Sequence, residues 1–224
     1  MALRQTWENV VFLNYRGPAS LVKECLPRGL ELDLFEGEAV LSLVPFRMRR
    51  VRWRGLGSPG LWDSLWEFNL RTYVRAGSVR GIYFFTLEAD HRLAVWAART
   101  FFHLPYAHSK IAATTMGSHF DFYHRRGDGE SSFKIDLGPE PLPENPLMEW
   151  ATERYSLLAP HQDGFLRGDV EHARWALQSC DIIQSQPGLL GMIPGALESF
   201  RFAGAAWCPS LEVAFRPFRF LKPS

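Results

Sequence analysis

The chain has 224 residues, with 25 Lys and Arg against 24 Asp and Glu, and a formal net charge of +1 at neutral pH. That length suits one domain with a sizeable core, and so even a balance removes any bulk electrostatic case for nucleic acid or an anionic membrane as partner. No apolar run approaches the roughly 20 residues of a spanning helix, and no apolar leader stretch follows Met1, so a cytoplasmic protein is expected.

Cys25, Cys180 and Cys208 are widely spaced and form no Cys-x-x-Cys pair, which predicts reduced, packed thiols. Eight Trp, six Tyr and seventeen Phe stand among many Gly and Pro. Short alternating runs broken by those residues predict a mainly β domain.

In chain order, residues 8–15 read as a first strand, and Gly17-Pro18 turns it into a helix over 19–25. Leu30, Leu32 and Leu34 alternate with Glu31 and Asp33 as a half-buried strand. A turn at 35–38 returns the chain into a strand over 39–46. Residues 47–54 hold six charged or aromatic positions, Arg47, Arg49, Arg50, Arg52, Trp53 and Arg54. They read either as a phosphate-contacting patch or as a strand with a solvated arginine face; with no second basic cluster, nucleic acid is not expected. The Gly- and Pro-rich stretch 55–63 is a loop placed to cover a pocket mouth or merely to connect.

Residues 65–74 are the organising strand. Strict alternation puts Trp66, Phe68, Leu70, Thr72 and Val74 on one face and Glu67, Asn69, Arg71 and Tyr73 on the other. Gly77 and Gly81 bracket a turn into a strand over 82–87. Asp90 is the expected N-cap of a helix reaching about His103, which Leu104-Pro105-Tyr106 ends. Strands over 111–116, 119–125 and 131–137 follow, the last two joined by Gly127-Asp128-Gly129. Prolines at 139, 141, 143 and 146 make a break before a short helix over 147–152. Glu153-Arg154-Tyr155 opens a further strand, 180–184 is another, 187–197 is broken by Gly and Pro, and 211–215 is the last.

Several runs in order resemble a known family: Val11-Phe12-Leu13-Asn14-Tyr15, Leu43-Val44-Pro45-Phe46, Glu67-Phe68-Asn69-Leu70-Arg71-Thr72-Tyr73-Val74, Gly81-Ile82-Tyr83-Phe84-Phe85, Glu153-Arg154-Tyr155 and Val170-Glu171-His172-Ala173-Arg174-Trp175. This set is similar to domain-of-unknown-function family 2071, a distant relative of acetoacetate decarboxylase. The resemblance covers nearly the whole chain. It implies an acetoacetate decarboxylase-like closed β-barrel, a single domain over 1–224, with a few flanking helices and an internal cavity. In a closed barrel one strand face points to the lumen. Glu67, Asn69, Arg71 and Tyr73 would then line it, while Trp66, Phe68 and Leu70 would pack outward under the helices.

The decarboxylases use a lysine whose pKa is depressed by burial and by an adjacent second lysine. The resemblance puts Tyr106 and Ala107 where that pair belongs, after Pro105. Matching Ser109-Lys110 instead recovers only the second lysine. Either way the dyad is missing, so Schiff-base decarboxylation is not expected, and Glu67 and Lys110 remain the catalytic candidates. By order along the chain Glu67 matches the family's strand glutamate. Arg71 either holds a ligand carboxylate or pairs with Glu67 inside the barrel.

No metal ligand set is expected: His103 and His108 flank the helix end, His119 and His124 face opposite sides of one strand, and His161 and His172 stand apart. No cofactor motif occurs. Three functions fit these residues. One is a barrel binding a small organic acid through Glu67, Asn69, Arg71, Tyr73 and Tyr106. Another is a lyase or hydrolase acting on a keto acid with Glu67 as acid–base. The third is a filled barrel whose aromatic surface serves a partner or a homo-oligomer.

Overall fold

The computed structural model describes residues 3–53 and 64–222, so the expected loop over 55–63 and Arg54 lie outside the described residues. In chain order the elements are β1 (Leu3–Gly17), α1 (Ala19–Glu24), β2 (Glu31–Leu32), β3 (Ala39–Trp53), β4 (Ser64–Ala76), β5 (Val79–Ala89) and α2 (Arg92–Phe102). They continue with β6 (Tyr106–His108), β7 (Lys110–Met116), β8 (His119–Arg126), β9 (Gly129–Pro141), α3 (Pro146–Thr152), β10 (Ser156–His161), β11 (Gly164–His172) and β12 (Gln178–Gln186). A 3₁₀ turn at Gly188–Met192, α4 (Ala196–Ser199), β13 (Arg201–Phe215) and β14 (Arg219–Leu221) complete the chain. The fold is mainly β.

The strands form one sheet in the order β14-β11-β10-β5-β4-β3-β1-β13-β12-β9-β8-β7, and β11 also pairs with β13. The long antiparallel partners of β4 are β3, with Val44 opposite Asn69, and β5, with Leu87 opposite Asn69. A register shift between Leu70 and Arg71 bulges β5 against β4. Such a bulge bends a strand and turns its side chains.

The central strands are buried on both faces, which is why their apolar positions run almost without interruption. On one face Val11 and Leu13 of β1, Leu41 and Leu43 of β3, and Phe68 and Leu70 of β4 meet Phe120, Phe122, Phe133 and Ile135 of β8 and β9. Phe68 has ring contacts at 5.0 Å to Phe122 and 5.9 Å to Phe133. This corrects one expectation: Phe68 and Leu70 lie between two layers of sheet, not beneath helices. The folded-over β7–β9 hairpins supply the cover, and nothing in the local alternation of β4 distinguishes a sheet partner from a helix. The other face, with Val10, Phe12, Val44 and Phe46, looks toward a cavity.

Three further boundaries differ from the sequence reading. Strand β3 runs on to Trp53, in line with the strand reading of the arginine run, whereas β9 continues through Pro139 and Pro141, where a break is expected. Gly81 is inside β5, so the turn is at Gly77, whose φ of 58° suits glycine. The N-cap of α2 is His91, whose Nδ1 accepts from Ala94 N at 3.3 Å; Asp90 instead accepts from Trp66 N at 3.0 Å and ties the helix entry to β4. Asn145 caps α3 by accepting from Met148 N. Among the described residues no helix is long and apolar enough to cross a membrane.

Candidate functional site

The cavity, about 330 Å³, is bordered by residues of β1, β3, β4, β5, β10, β11 and β13. Its walls are mostly apolar: Trp7 and Phe12 from β1, Phe46 from β3, Leu87 from β5, and Trp175. Trp175 is held by its indole N–H donating to Thr152 O at 3.1 Å, and its ring meets Phe12 at 4.9 Å and Trp7 at 6.1 Å. Helix α2 closes one side, with Ala94, Ala97 and Phe101 lining the cavity while Leu93 and Trp96 stay exposed.

Polar groups are few and sit on one strip. Glu67, Asn69 and Arg71 occupy alternate positions of β4, all buried and all lining the cavity. The fourth member comes from far along the chain. After α2 ends at His103 in the left-handed region (φ 53°), β6 pairs in parallel with β5, Leu87 opposite Tyr106. That register delivers the Tyr106 phenol to Glu67, and its O–H donates to Oε2 at 2.6 Å. Asn69 Nδ2 donates to the other carboxylate oxygen, Oε1, at 3.3 Å.

Burial is the largest influence on Glu67 and pushes its pKa up to about 7, against the opposing pull of the Tyr106 and Asn69 hydrogen bonds and the Arg71 charge. The Tyr106 phenol is driven well above its ordinary value by burial and then by the adjacent carboxyl, so it remains a donor. Arg71 forms no ion pair among the described residues. Its guanidinium lies 5.2 Å from the Phe12 ring centre and 5.8 Å from that of Tyr73. Among the described residues, five buried polar atoms of lining residues have no hydrogen-bond partner: Gln5 Oε1, Trp7 Nε1, Asn69 Oδ1, Arg71 Nε and Arg154 Nη2. Buried polar groups are ordinarily satisfied, so these atoms are open hydrogen-bonding positions on the cavity wall.

The other sequence candidates fall elsewhere. Tyr73 is fully buried but does not line the cavity; its hydroxyl is 2.7 Å from Ser42 Oγ and its ring packs at 4.6 Å on Trp150 of α3. Helix α3 covers the end of the strip that alternation alone would leave open. Lys110 is exposed at the start of β7, opposite Arg125, and away from the cavity. Lys23, Lys134 and Lys222 are exposed as well. His172 lies at the cavity wall, edge-on to Trp175 at 5.1 Å, with Nδ1 2.7 Å from Ala173 O. No group of three or more His, Cys, Asp or Glu positioned to hold a metal occurs among the described residues. Sequence reasoning missed Trp7, Thr152 and Arg154. Of these only Arg154 left a signal, as the middle of a run shared with the family it resembles.

Residues 4–208 match the model of domain-of-unknown-function family 2071, described as an uncharacterised conserved protein. The uncharacterised protein YqjF of Bacillus subtilis is 38% identical over 185 residues, covering 80% of this chain and 76% of that protein. Among solved structures, acetoacetate decarboxylase of Legionella pneumophila superposes with a TM-score of 0.73 at 12% identity, over 99% of this chain and 87% of its own. The enduracididine biosynthesis enzyme MppR, complexed with pyruvate, gives 0.68 at 15% identity over 100% and 91%. An acetoacetate decarboxylase-like enzyme of Sphingomonas wittichii gives 0.68 at 11% over 100% and 94%. At these identities the solved structures share the fold.

Proposed function

The chain belongs to domain-of-unknown-function family 2071, and on that footing we propose that it is a cytoplasmic small-molecule-binding protein whose cavity takes a small organic acid without lysine chemistry. The observation that carries this reading is the polar strip of Glu67, Asn69, Arg71 and Tyr106 set into an otherwise apolar cavity of about 330 Å³. A pocket of that make-up excludes water from most of a ligand and orients it through few groups. The reading without lysine chemistry is supported by the exposure of all four lysines and by the absence of lysine from the described lining residues. A Schiff-base lysine is activated by burial or by an adjacent cation inside the site, and none of these lysines lies there. We also take the seven strands around the cavity to work as a closed barrel, a reading supported by β11 pairing with both β10 and β13.

A panel of four- to eight-carbon carboxylic and oxo acids, each beside its amide, tests the function by thermal unfolding. Acids should raise the Tm more than their amides do. A Tm that no member of the panel moves would overturn the reading in favour of a sealed cavity.

One observation favours a second reading, a lyase or hydrolase acting on a keto acid with Glu67 as acid–base. A carboxyl held near pKa 7 exchanges a proton readily at neutral pH. Turnover of a keto acid that Glu67→Gln abolishes while binding persists would promote this reading above simple binding.

A further inference from the structure

The floor of the cavity holds a second guanidinium that β4 does not supply. Arg154 lies just beyond α3 and is buried. Its Nε donates to Trp150 O at 2.9 Å, its Nη1 donates to Asp33 Oδ2 at 2.7 Å, and its Cζ sits 4.3 Å from the Trp150 ring centre. Those three contacts fix the plane of the group and leave Nη2 buried with no partner. Arg71 is the complementary case, a buried guanidinium held by ring faces with Nε unpartnered. The Tyr73 ring centre is 5.8 Å from Arg71 Cζ and 5.5 Å from Arg154 Cζ, so the two cations share one aromatic wall beside the same cavity.

The local charges do not cancel. Asp33 is bridged by Arg154 at 2.7 Å, by Arg80 at 2.8 Å and by Arg75 at 3.5 Å. One carboxylate therefore serves three guanidiniums, of which Arg75 and Arg80 are half-exposed and solvated. Arg71 faces only Glu67, a carboxyl whose pKa burial raises to about 7, and a buried guanidinium short of a full counter-charge is costly unless an anion meets it. Two guanidinium edges match the planar pair of oxygens on a carboxylate.

We propose that Arg71 and Arg154 together clamp a ligand carboxylate at the cavity floor, while Glu67, Asn69 and Tyr106 meet an uncharged carbonyl or hydroxyl at the ligand's other end. The proposal rests on the ligand-binding reading and names its ligand class. Glu67 and Arg71 are four residues apart on one strand, about 13 Å of backbone at 3.3 Å per residue. Even with both side chains reaching inward, a three- or four-carbon oxo acid spans too little of that strip. The ligand is a longer monocarboxylic acid, its second polar group several carbons from the first and its body lying along Phe12, Phe46 and Trp175.

Calorimetric titration with 6-oxoheptanoate, its amide and acetoacetate tests this on the wild type, Arg71→Met and Arg154→Met. The expected result is that the seven-carbon acid binds at least tenfold more tightly than its amide or acetoacetate. Each Met substitution should cost the acid tenfold or more and change the amide less than twofold. Because Arg154 also holds Asp33, Arg154→Lys serves as the second variant: it keeps a cation near Asp33 but loses the fork, and an intermediate loss is expected. Equal binding of the acid to wild type and both Met variants overturns the clamp and leaves the binding cavity standing. No binding of any of the three compounds to the wild type overturns the cavity reading and the clamp with it. Tightest binding by acetoacetate refutes the length argument.

Discussion

Tyr106 donates a 2.6 Å hydrogen bond to Glu67 across 39 residues of sequence, joining the strand after α2 to the polar strip of β4. The bond favours the carboxylate and so holds the Glu67 pKa below the value that burial alone would impose. Tyr106→Phe should therefore move the Glu67 titration midpoint further above 7. A hydrogen bond to a charged group contributes about 1.5–3 kcal/mol, which corresponds to a rise of about one to two pH units. Carbon-detected NMR of the Glu67 side-chain carboxyl reads this directly. An unmoved midpoint would mean that the pair is not joined in solution.

The same carboxyl makes stability depend on pH, with a definite sign. Its pKa is 4.5 as an ordinary glutamate and about 7 in the fold, so between those values the folded protein holds a proton that the unfolded chain has released. Stability contributed by Glu67 is full below about pH 4.5, falls as pH rises through the window, and is gone above about pH 7. The whole effect is on the order of 3 kcal/mol at 1.36 kcal/mol per unit. Glu67→Gln stays neutral throughout and should lack this slope. In urea unfolding at pH 5 and pH 8, the variant should gain on the wild type by about 1–3 kcal/mol at the higher pH. A difference between the two proteins that does not change with pH would show that Glu67 titrates normally.

The strip itself was legible from sequence because strand alternation is local: Glu67, Asn69 and Arg71 share a face whatever lies opposite. What covers each face is not local. Tyr73 follows the same alternation, yet Trp150 arrives from 77 positions away and seals it into the floor. The Phe68 face was read as apolar, but whether a helix or the β8–β9 hairpin would pack there depends on how the sheet folds over itself. Lys110 enters the sequence reading only by matching Ser109-Lys110 to the lysine pair that the resemblance implies; three residues of β6 carry it out past the cavity wall. Helix ends were easier, since a cap is a short-range event, and even there the choice between Asp90 and His91 turned on a backbone amide of Trp66 that competes for Asp90.

Another buried carboxyl, that of Glu88 on β5, lies away from the cavity and fully enclosed. Thr86 Oγ1 donates to its Oε1 at 2.6 Å, Arg126 approaches the same oxygen at 3.2 Å, and Oε2 has no hydrogen-bond partner. Thr86→Val keeps the side-chain shape and removes one of these donors. Leaving a buried acceptor short of a donor costs about 1–3 kcal/mol, and the variant should lose that much in denaturant unfolding. In a Glu88→Gln background the loss should shrink, because that substitution already removes the carboxyl that Thr86 serves. A Thr86→Val variant as stable as the wild type would show that water reaches Glu88 and replaces the hydroxyl.

Borohydride trapping decides whether any lysine of this chain forms a Schiff base. A Schiff base forms only from the neutral amine, and the fold can lower a lysine pKa by burying it or by setting another cation beside it. Lys110 is exposed on β7, with Arg125 opposite it in the register; the other three lysines are exposed too. Incubation with acetoacetate or pyruvate and borohydride at neutral pH should therefore leave the intact mass at that of the unmodified chain, for the wild type and for Lys110→Ala alike. Where a decarboxylase-like lysine would give one adduct per chain within minutes, exposed lysines should give at most a slow scatter over several sites. One adduct per chain that maps to Lys110 and disappears in Lys110→Ala would show that arginine near a solvated lysine is enough to activate it, and it would return Glu67 to the role of a proton donor in a covalent reaction.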